Sequence, residues 1–266
     1  MTRSEQPLIY AVADGVATIT FNRPDAMNSL DVATKLALRA AVLEAAEDES
    51  VRCVVLTGTG RAFSVGQDLK EHVTILASTS SDELFKTVPE HYNPIAKALA
   101  TMPKPVVAAV NGVAAGAGAS LALACDFRIA ANTAGFNLAF TGVALSCDTG
   151  ASWTLPRLVG KAKAMELLFF PRTISAAESE ELGLVTRVVP AADLGAEVAQ
   201  LAERLASGPT VAFGAIRRAV EHSAGHDLES SLEFEAEMMA LTGATHDHQQ
   251  AVASFVAKEK PRFEGR

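Results

Sequence analysis

Only three cysteines occur in the chain, Cys53, Cys125 and Cys147, and no two of them form a C-x-x-C pair. That excludes a disulfide framework and points to no zinc site. No apolar run of 18 residues escapes interruption by charge or glycine, and the opening MTRSEQ is not followed by the hydrophobic core of a signal peptide. The expected compartment is therefore the cytoplasm. Positive charge is short as well: 23 Lys and Arg against 31 Asp and Glu give a formal charge of −8. This argues against nucleic acid or an anionic membrane as a general partner, and an anionic small ligand would need a local basic patch. With 49% hydrophobic and 20% charged residues, the 266-residue chain can bury one large core or a core with a smaller appended unit.

Leu8 to Val12 and Val16 to Phe21 are rich in β-formers and flank Asp14-Gly15, a hairpin signal. Asp31 is a candidate N-cap for the helical run VATKLALRAAVLEAAED, whose acidic end opposes the helix dipole and is left for solvent to tolerate. Short buried strands follow at Val51 to Gly58 and Pro105 to Gly112, and a helix lying between strands predicts a βαβ crossover. Further on, SLALACD reads as a short helix and DFRIAA as a strand. WTLPRLVG should break at Pro156, KAKAMELLFF should be helical, and LVTRVV should be a strand ending at Pro190. After Asp193 the pattern turns almost wholly helical. The prediction is an α/β core of strand-strand-helix units over 1–195 and a helical oligomerisation region over 196–266 that packs on a partner subunit.

The segment AVNGVAAGAGASLALACDFRIAA (109–131) carries no acid, base or thiol in its first twelve residues. It is not a dinucleotide fingerprint, because Leu121 stands where the third glycine belongs, and it is not a P-loop, because no lysine lies between Pro105 and Arg128. Two readings remain: a close packing contact, or a strand end and helix start whose free N–H groups stabilise a developing oxyanion. RAFSVGQDLK (61–70) is a second strand end followed by a glycine turn, so two backbone donors could serve one oxygen.

Together AFSVGQDL and KPVVAAVNGVAAGAGASLALACDFRIAA resemble the two signature segments of the crotonase superfamily, the enoyl-CoA hydratase/isomerase family. The likeness extends to NRPDAMNSL, LPRLVG, the A-x-E-x-x-x-L-G-L-V run from Ala177 to Val185, and FVAKEKPRF, and so covers nearly the whole chain. It implies a spiral of ββα units, a trimerising helical C-terminal region giving a homotrimer or a dimer of trimers, and a CoA thioester as substrate. It implies no permanently bound cofactor and no metal, coenzyme A entering as part of the substrate. By matching position, the oxyanion donors are the amides of Gln67 and Ala117, with Gly116 preceding the second. The resemblance also places adenine and pantetheine against the backbone around Ala62, Ser64, Gly66, Asp68 and Leu69. Arg23 and Lys70 are then candidates for the phosphates, as is Lys258 from a neighbouring subunit.

Hydratases of this family use two glutamates, and here those positions hold Ser120 and Phe140. An unactivated serine hydroxyl does not replace a carboxylate base. Between Asn111 and Met165 the only acids are Asp126 and Asp148. Asp126 fits a structural hydrogen-bonding role or a pair with Arg128. Asp148 lies in ALSCDTGASW, near Phe140 and Trp153 in sequence, and this loop resembles the segment of crotonase-family isomerases in which the aspartate is the acid/base. The competing role for Asp148 is a cap on the following helix. An isomerase moving a double bond through an enolate is the leading expectation, followed by an enoyl-CoA hydratase and a non-catalytic acyl-CoA binding protein. His222 with His226, and the His246-Asp247-His248 cluster, are read as surface features.

Overall fold

The chain enters the fold through the hairpin that Asp14-Gly15 predicts. In the computed structural model, which describes residues 6–266, β1 (Leu8–Ala13) pairs antiparallel with β2 (Val16–Phe21), Ala13 standing opposite Val16. All of MTRSEQ but Gln6 lies outside the described residues. Asp14 and Gly15 have φ of 50° and 76°, the left-handed pair that a two-residue hairpin turn requires. A loop through left-handed Met27 and Asn28 leads to α1 (Val32–Glu47), which Asp31 caps by accepting the Thr34 N–H at 2.8 Å. The chain then returns as β3 (Cys53–Gly58), parallel to β2, so α1 is the expected crossover.

From β3 the chain alternates between two sheets. β4 (Ala62–Ser64) joins the second sheet and is followed by α2 (Leu69–Leu76), α3 (Ser81–Phe85), a wide turn over Val88–Tyr92 and α4 (Asn93–Thr101). β5 (Val106–Val110), β6 (Val113–Ala115) and α5 (Ala117–Leu123) form the next unit, and β7 (Phe127–Ala131), β8 (Gly135–Asn137) and α6 (Ala151–Phe169) the one after. β9 (Ile174–Ser175), α7 (Ala176–Glu181) and β10 (Arg187–Val189) complete the strands. The sheet orders are β1-β2-β3-β5-β7-β10 and β4-β6-β8-β9. This is the expected α/β spiral of ββα units.

The central strand β5, VVAAV, is buried along its whole length, as a parallel strand covered on both faces should be. Phe21 and Phe63 meet edge to face at 5.5 Å between ring centroids and join the two sheets. Burial pushes the Cys53 and Cys125 thiols up to about 12, which keeps them protonated and inert. Among the described residues no helix is long and apolar enough to cross a membrane.

Four expectations need correction. α8 (Leu194–Ala206) packs against β2, β3, β5 and β7, so a boundary at 195/196 cuts a core element; the separate helical layer is α9 (Thr210–Ser223), α10 (Leu228–Gly243) and α11 (His246–Ala257). α6 does not break at Pro156 but at Gly160, with φ 76° and ψ 158°. Arg157 spans the proline, stacking on the Trp153 ring and donating to its carbonyl at 3.0 Å. Asp126 holds its expected structural role, accepting the Val106 amide at 2.7 Å, with Arg217 of α9 as its ion-pair partner at 2.8 Å, while Arg128 donates to the carbonyls of Leu184 and Cys125. Finally, the acidic end of α1 is met by the buried ammonium of Lys104, not by solvent alone. Of the two histidine groups read as surface features, His222 and His226 stack on each other at 3.8 Å, but Asp247 of the second is buried, because its carboxylate accepts the amides of Glu264 and Gly265.

Candidate active site

β4, β6 and β8 run parallel, so their carboxyl ends open at the same edge, where ligands of α/β sheets are bound. β4 ends into Val65-Gly66-Gln67, β6 into Gly116-Ala117, and β8 into the stretch leading to Phe140 and Asp148. The NRPDAMNSL loop holds the first of these in place. Asn28, fully buried, donates to the carbonyls of Thr59 and Ala62, and Leu30 exchanges bonds with Gly66 O (2.8 Å) and Asp68 N (3.2 Å). In a parallel bridge the residue between those two turns its own N–H the other way. Hence the Gln67 amide faces away from Leu30, and neither it nor the Ala117 amide at the start of α5 donates to a protein acceptor among the described residues.

Glycine lets the two segments touch. A Cβ on Gly66 would lie 2.8 Å from Ala115 O and 3.0 Å from Ala117 N, and one on Gly118 would fall 2.2 Å from Ser64 O. The glycine-rich stretch is thus a close packing contact that also brings the Ala117 amide near the segment carrying Gln67. Ser64, buried, donates to Asn28 O at 2.8 Å, and Ala62 is buried beside it.

Asp68 caps α2 through the amides of Lys70 and Glu71 and accepts the Ser29 hydroxyl at 2.8 Å. Burial pushes its carboxyl up, but the Ser29 hydroxyl, the Glu71 amide and Arg23 outweigh this and hold it below the usual range. Arg23 has its guanidinium occupied: it sits 3.1 Å from both Asp31 and Asp68 and donates to Ser29 O at 2.6 Å. Leu69 and Lys70 are exposed at the start of α2, and Lys258 is exposed at the left-handed end of α11.

Asp148 is not a helix cap. The cap of α6 is Gly150 with no side-chain bond, and Ala151 N donates to the Asp148 carbonyl, not to its carboxylate. The half-buried carboxylate accepts the Thr149 hydroxyl at 2.8 Å. Thr149 is itself buried at φ 53°, a left-handed conformation costly for a β-branched residue and of a kind that collects at functional sites. Burial pushes the Asp148 carboxyl above the ordinary range, against the pull of the Thr149 hydroxyl and the Lys35 ammonium. Ser120 is fully buried with its hydroxyl on Gly116 O, and Phe140 is buried. Trp153 turns outward, 43% exposed.

Sequence reasoning missed a buried polar cluster around Gln67. Its Oε1 accepts Lys35 Nζ at 3.2 Å and the Tyr92 hydroxyl at 2.7 Å; Lys35 also donates to Thr87 Oγ1 at 2.7 Å, and Thr87 meets His91 Nδ1 at 3.0 Å. The Lys35 ammonium lies 5.4 Å from the centre of the Tyr92 ring. Burial drives the Tyr92 hydroxyl well above its usual range, helped by the charges of Asp148 and Glu71. One signal was available: Lys35 lies on the same stripe of α1 as buried Leu38, Val42 and Ala45.

A family profile described as Enoyl-CoA hydratase/isomerase matches residues 11–266. The 1,2-epoxyphenylacetyl-CoA isomerase of Escherichia coli K12 is 39% identical over 97% of this chain and 98% of its own length. A Rhodobacter capsulatus protein, named provisionally as an enoyl-CoA hydratase, is 41% identical over 97% of each chain. A solved Mycobacterium abscessus structure, named provisionally as an enoyl-CoA hydratase/isomerase, aligns with a TM-score of 0.93 and 42% identity, covering 97% of this chain and 100% of that one. The chain therefore belongs to the enoyl-CoA hydratase/isomerase family, the crotonase superfamily, and is an enzyme of that class.

Proposed function

We propose that the protein isomerises an enoyl-CoA thioester by a proton shift. The observation that carries this reading is Asp148: a half-buried carboxylate with a raised pKa that caps no helix, in a site whose two hydratase glutamate positions are a sequestered serine and a buried phenylalanine. The Gln67 and Ala117 amides bind the thioester oxygen. Asp148 takes a proton from the acyl chain, the electron pair of the broken C–H bond moves to that oxygen as an enolate or dienolate, and the same carboxyl returns the proton at another carbon. No water is added and nothing is lost, so one carboxylate suffices. Each oxyanion donor supplies about 3 kcal/mol by analogy with measured cases.

The coenzyme A portion is assigned to the backbone from Ala62 to Leu69, with Lys70 and a neighbouring copy's Lys258 toward the phosphates. Arg23 serves that surface by holding Asp31 and Asp68. Gly116 and Phe140 line the acyl end. Leu228, Met239 and Phe255, each at least 74% exposed on the helical layer, support assembly into a homotrimer or a dimer of trimers.

The Rhodobacter relative favours a second reading, hydration with Asp148 acting through an ordered water. The test supplies 2-enoyl-CoA and 3-enoyl-CoA to the wild type and to Asp148→Asn, following hydration and isomerisation separately. Isomerisation that falls by about 10²- to 10⁴-fold in the variant is expected. Fast hydration by the wild type would sink the isomerase reading in favour of the hydratase. Tight acyl-CoA binding with neither reaction would sink both readings and favour either a different acyl substrate or a binding role.

A further inference from the structure

Lys35 stands where stability alone would not put a cation. The residue is 1% exposed, and both of its hydrogen bonds go to neutral oxygens, Gln67 Oε1 and Thr87 Oγ1. No carboxylate forms an ion pair with it among the described residues; the acids that face it, Glu71 on α2, Asp31 at the cap of α1, Asp68 and Asp148, act only from a distance. It also sits in the first turn of α1, where the helix dipole is positive and disfavours a cation. A buried ion with neutral partners and an adverse dipole is costly. Breaches of local rules of this kind gather at functional sites.

What the charge touches gives it a task. Gln67 is the residue whose N–H is assigned to the oxyanion, and its flanking peptides are already held on one side by Leu30. Its side chain is the remaining handle, and that handle is gripped by two donors, the Lys35 ammonium and the Tyr92 hydroxyl, converging on one oxygen. A grip on Oε1 from α1 and from the end of the wide turn fixes the Gln67 Cα between its two peptides. It also brings a positive charge to the side of the site where negative charge develops.

We propose that Lys35 is a positioning residue for the Gln67 oxyanion amide, acting with Tyr92 through the Gln67 side chain. The inference rests on the reading of the Gln67 and Ala117 amides as the oxyanion donors. It goes beyond that reading by giving a buried lysine 32 residues from Gln67 a share in polarising the thioester.

The experiment uses 2,4-hexadienoyl-CoA, whose absorbance moves to longer wavelength when its thioester oxygen accepts strong hydrogen bonds. It is bound to the wild type and to Lys35→Met, Lys35→Gln and Tyr92→Phe, with kcat, KM and thermal stability measured in parallel. In Lys35→Met the bound chromophore should lose at least half of its red shift and kcat should fall about 10- to 100-fold, the size of one charge-assisted hydrogen bond, with KM little changed. Thermal stability should hold or rise. Lys35→Gln, which keeps a donor for Oε1, should restore part of the shift, and Tyr92→Phe should lose less than Lys35→Met. A full red shift in a folded Lys35→Met protein overturns the proposal, as does a loss of activity that only follows a loss of stability. If the wild type itself gives no red shift on binding, the oxyanion reading fails, and this inference with it.

Discussion

α1 has a buried lysine at each end, and the two obey opposite rules. At the carboxyl end Lys104, which precedes β5, donates to Ala45 O at 2.9 Å and Asp48 O at 2.8 Å. Ala45 O is one of the last carbonyls of the helix and Asp48 O accepts only the Val51 N–H from the backbone beyond it, and a cation there is favoured by the dipole. At the amino end Lys35 meets an unfavourable dipole and neutral oxygens on residues that α1 does not need for its own stability. Burial lowers the pKa of both ammonium groups. The difference lies in what each charge answers: Lys104 satisfies a demand the helix creates, whereas Lys35 imposes a demand that Gln67, Thr87 and Tyr92 must meet. A buried charge that follows local rules is explained by the fold, and one that breaks them is to be explained by chemistry.

Removing each charge should separate the two ends. Lys104→Met strips the ammonium from the Ala45 carbonyl at a covered helix end, while the Asp48 carbonyl keeps the Val51 N–H at 3.1 Å, and should cost about 1 to 3 kcal/mol, read from the urea midpoint at constant slope. Lys35→Met replaces a buried ion by an apolar chain of similar length and should leave stability unchanged or raise it by about 1 kcal/mol. Equal destabilisation by the two would break the comparison, because Lys35 would then be an ordinary part of the core. Asp31→Ala removes the acceptor of the Thr34 N–H and hydroxyl together with the Arg23 ion pair and should cost about 1 to 2 kcal/mol, which calibrates the amino end of the same helix.

Where cause and effect are close in sequence, the chain could be read directly. Asp14-Gly15 makes its hairpin and Asp31 its cap through contacts within three residues. The close approach of the two glycine-bearing segments was legible because a glycine at a strand end constrains the backbone locally, and parallel strands then bring both segments to one edge. Long-range partners were not legible. Asp126 is met by Arg217, 91 residues away, and Lys104 reaches back 59 residues to Ala45. Lys35 reads as one more lysine on a helix until Thr87, 52 residues on, and Gln67 are folded against it. At α6 the helix runs on through Pro156, with Arg157 donating to the Trp153 carbonyl one turn back, and the break falls at Gly160, whose positive φ other residues adopt at a cost.

The smallest effect extends the same comparison to the opposite sign of charge. Asp148, like Lys35, is an ion kept where burial disfavours it, and its folded pKa lies above the unfolded value of 3.8. A group raised in this way contributes stability below its unfolded pKa, and that contribution is lost as pH rises through the folded pKa, since above it the folded state must hold a charge that the unfolded chain keeps in water. Asp148→Asn should therefore be slightly more stable than the wild type at pH 7. The margin should shrink as pH falls through the folded pKa and vanish below 3.8, where both carboxyl states are protonated. Melting temperatures of the two proteins between pH 7 and pH 4 read this directly. A margin that stays constant with pH would mean that the asparagine acts by packing, and Asp148 would then be no more strained by its surroundings than a surface carboxylate.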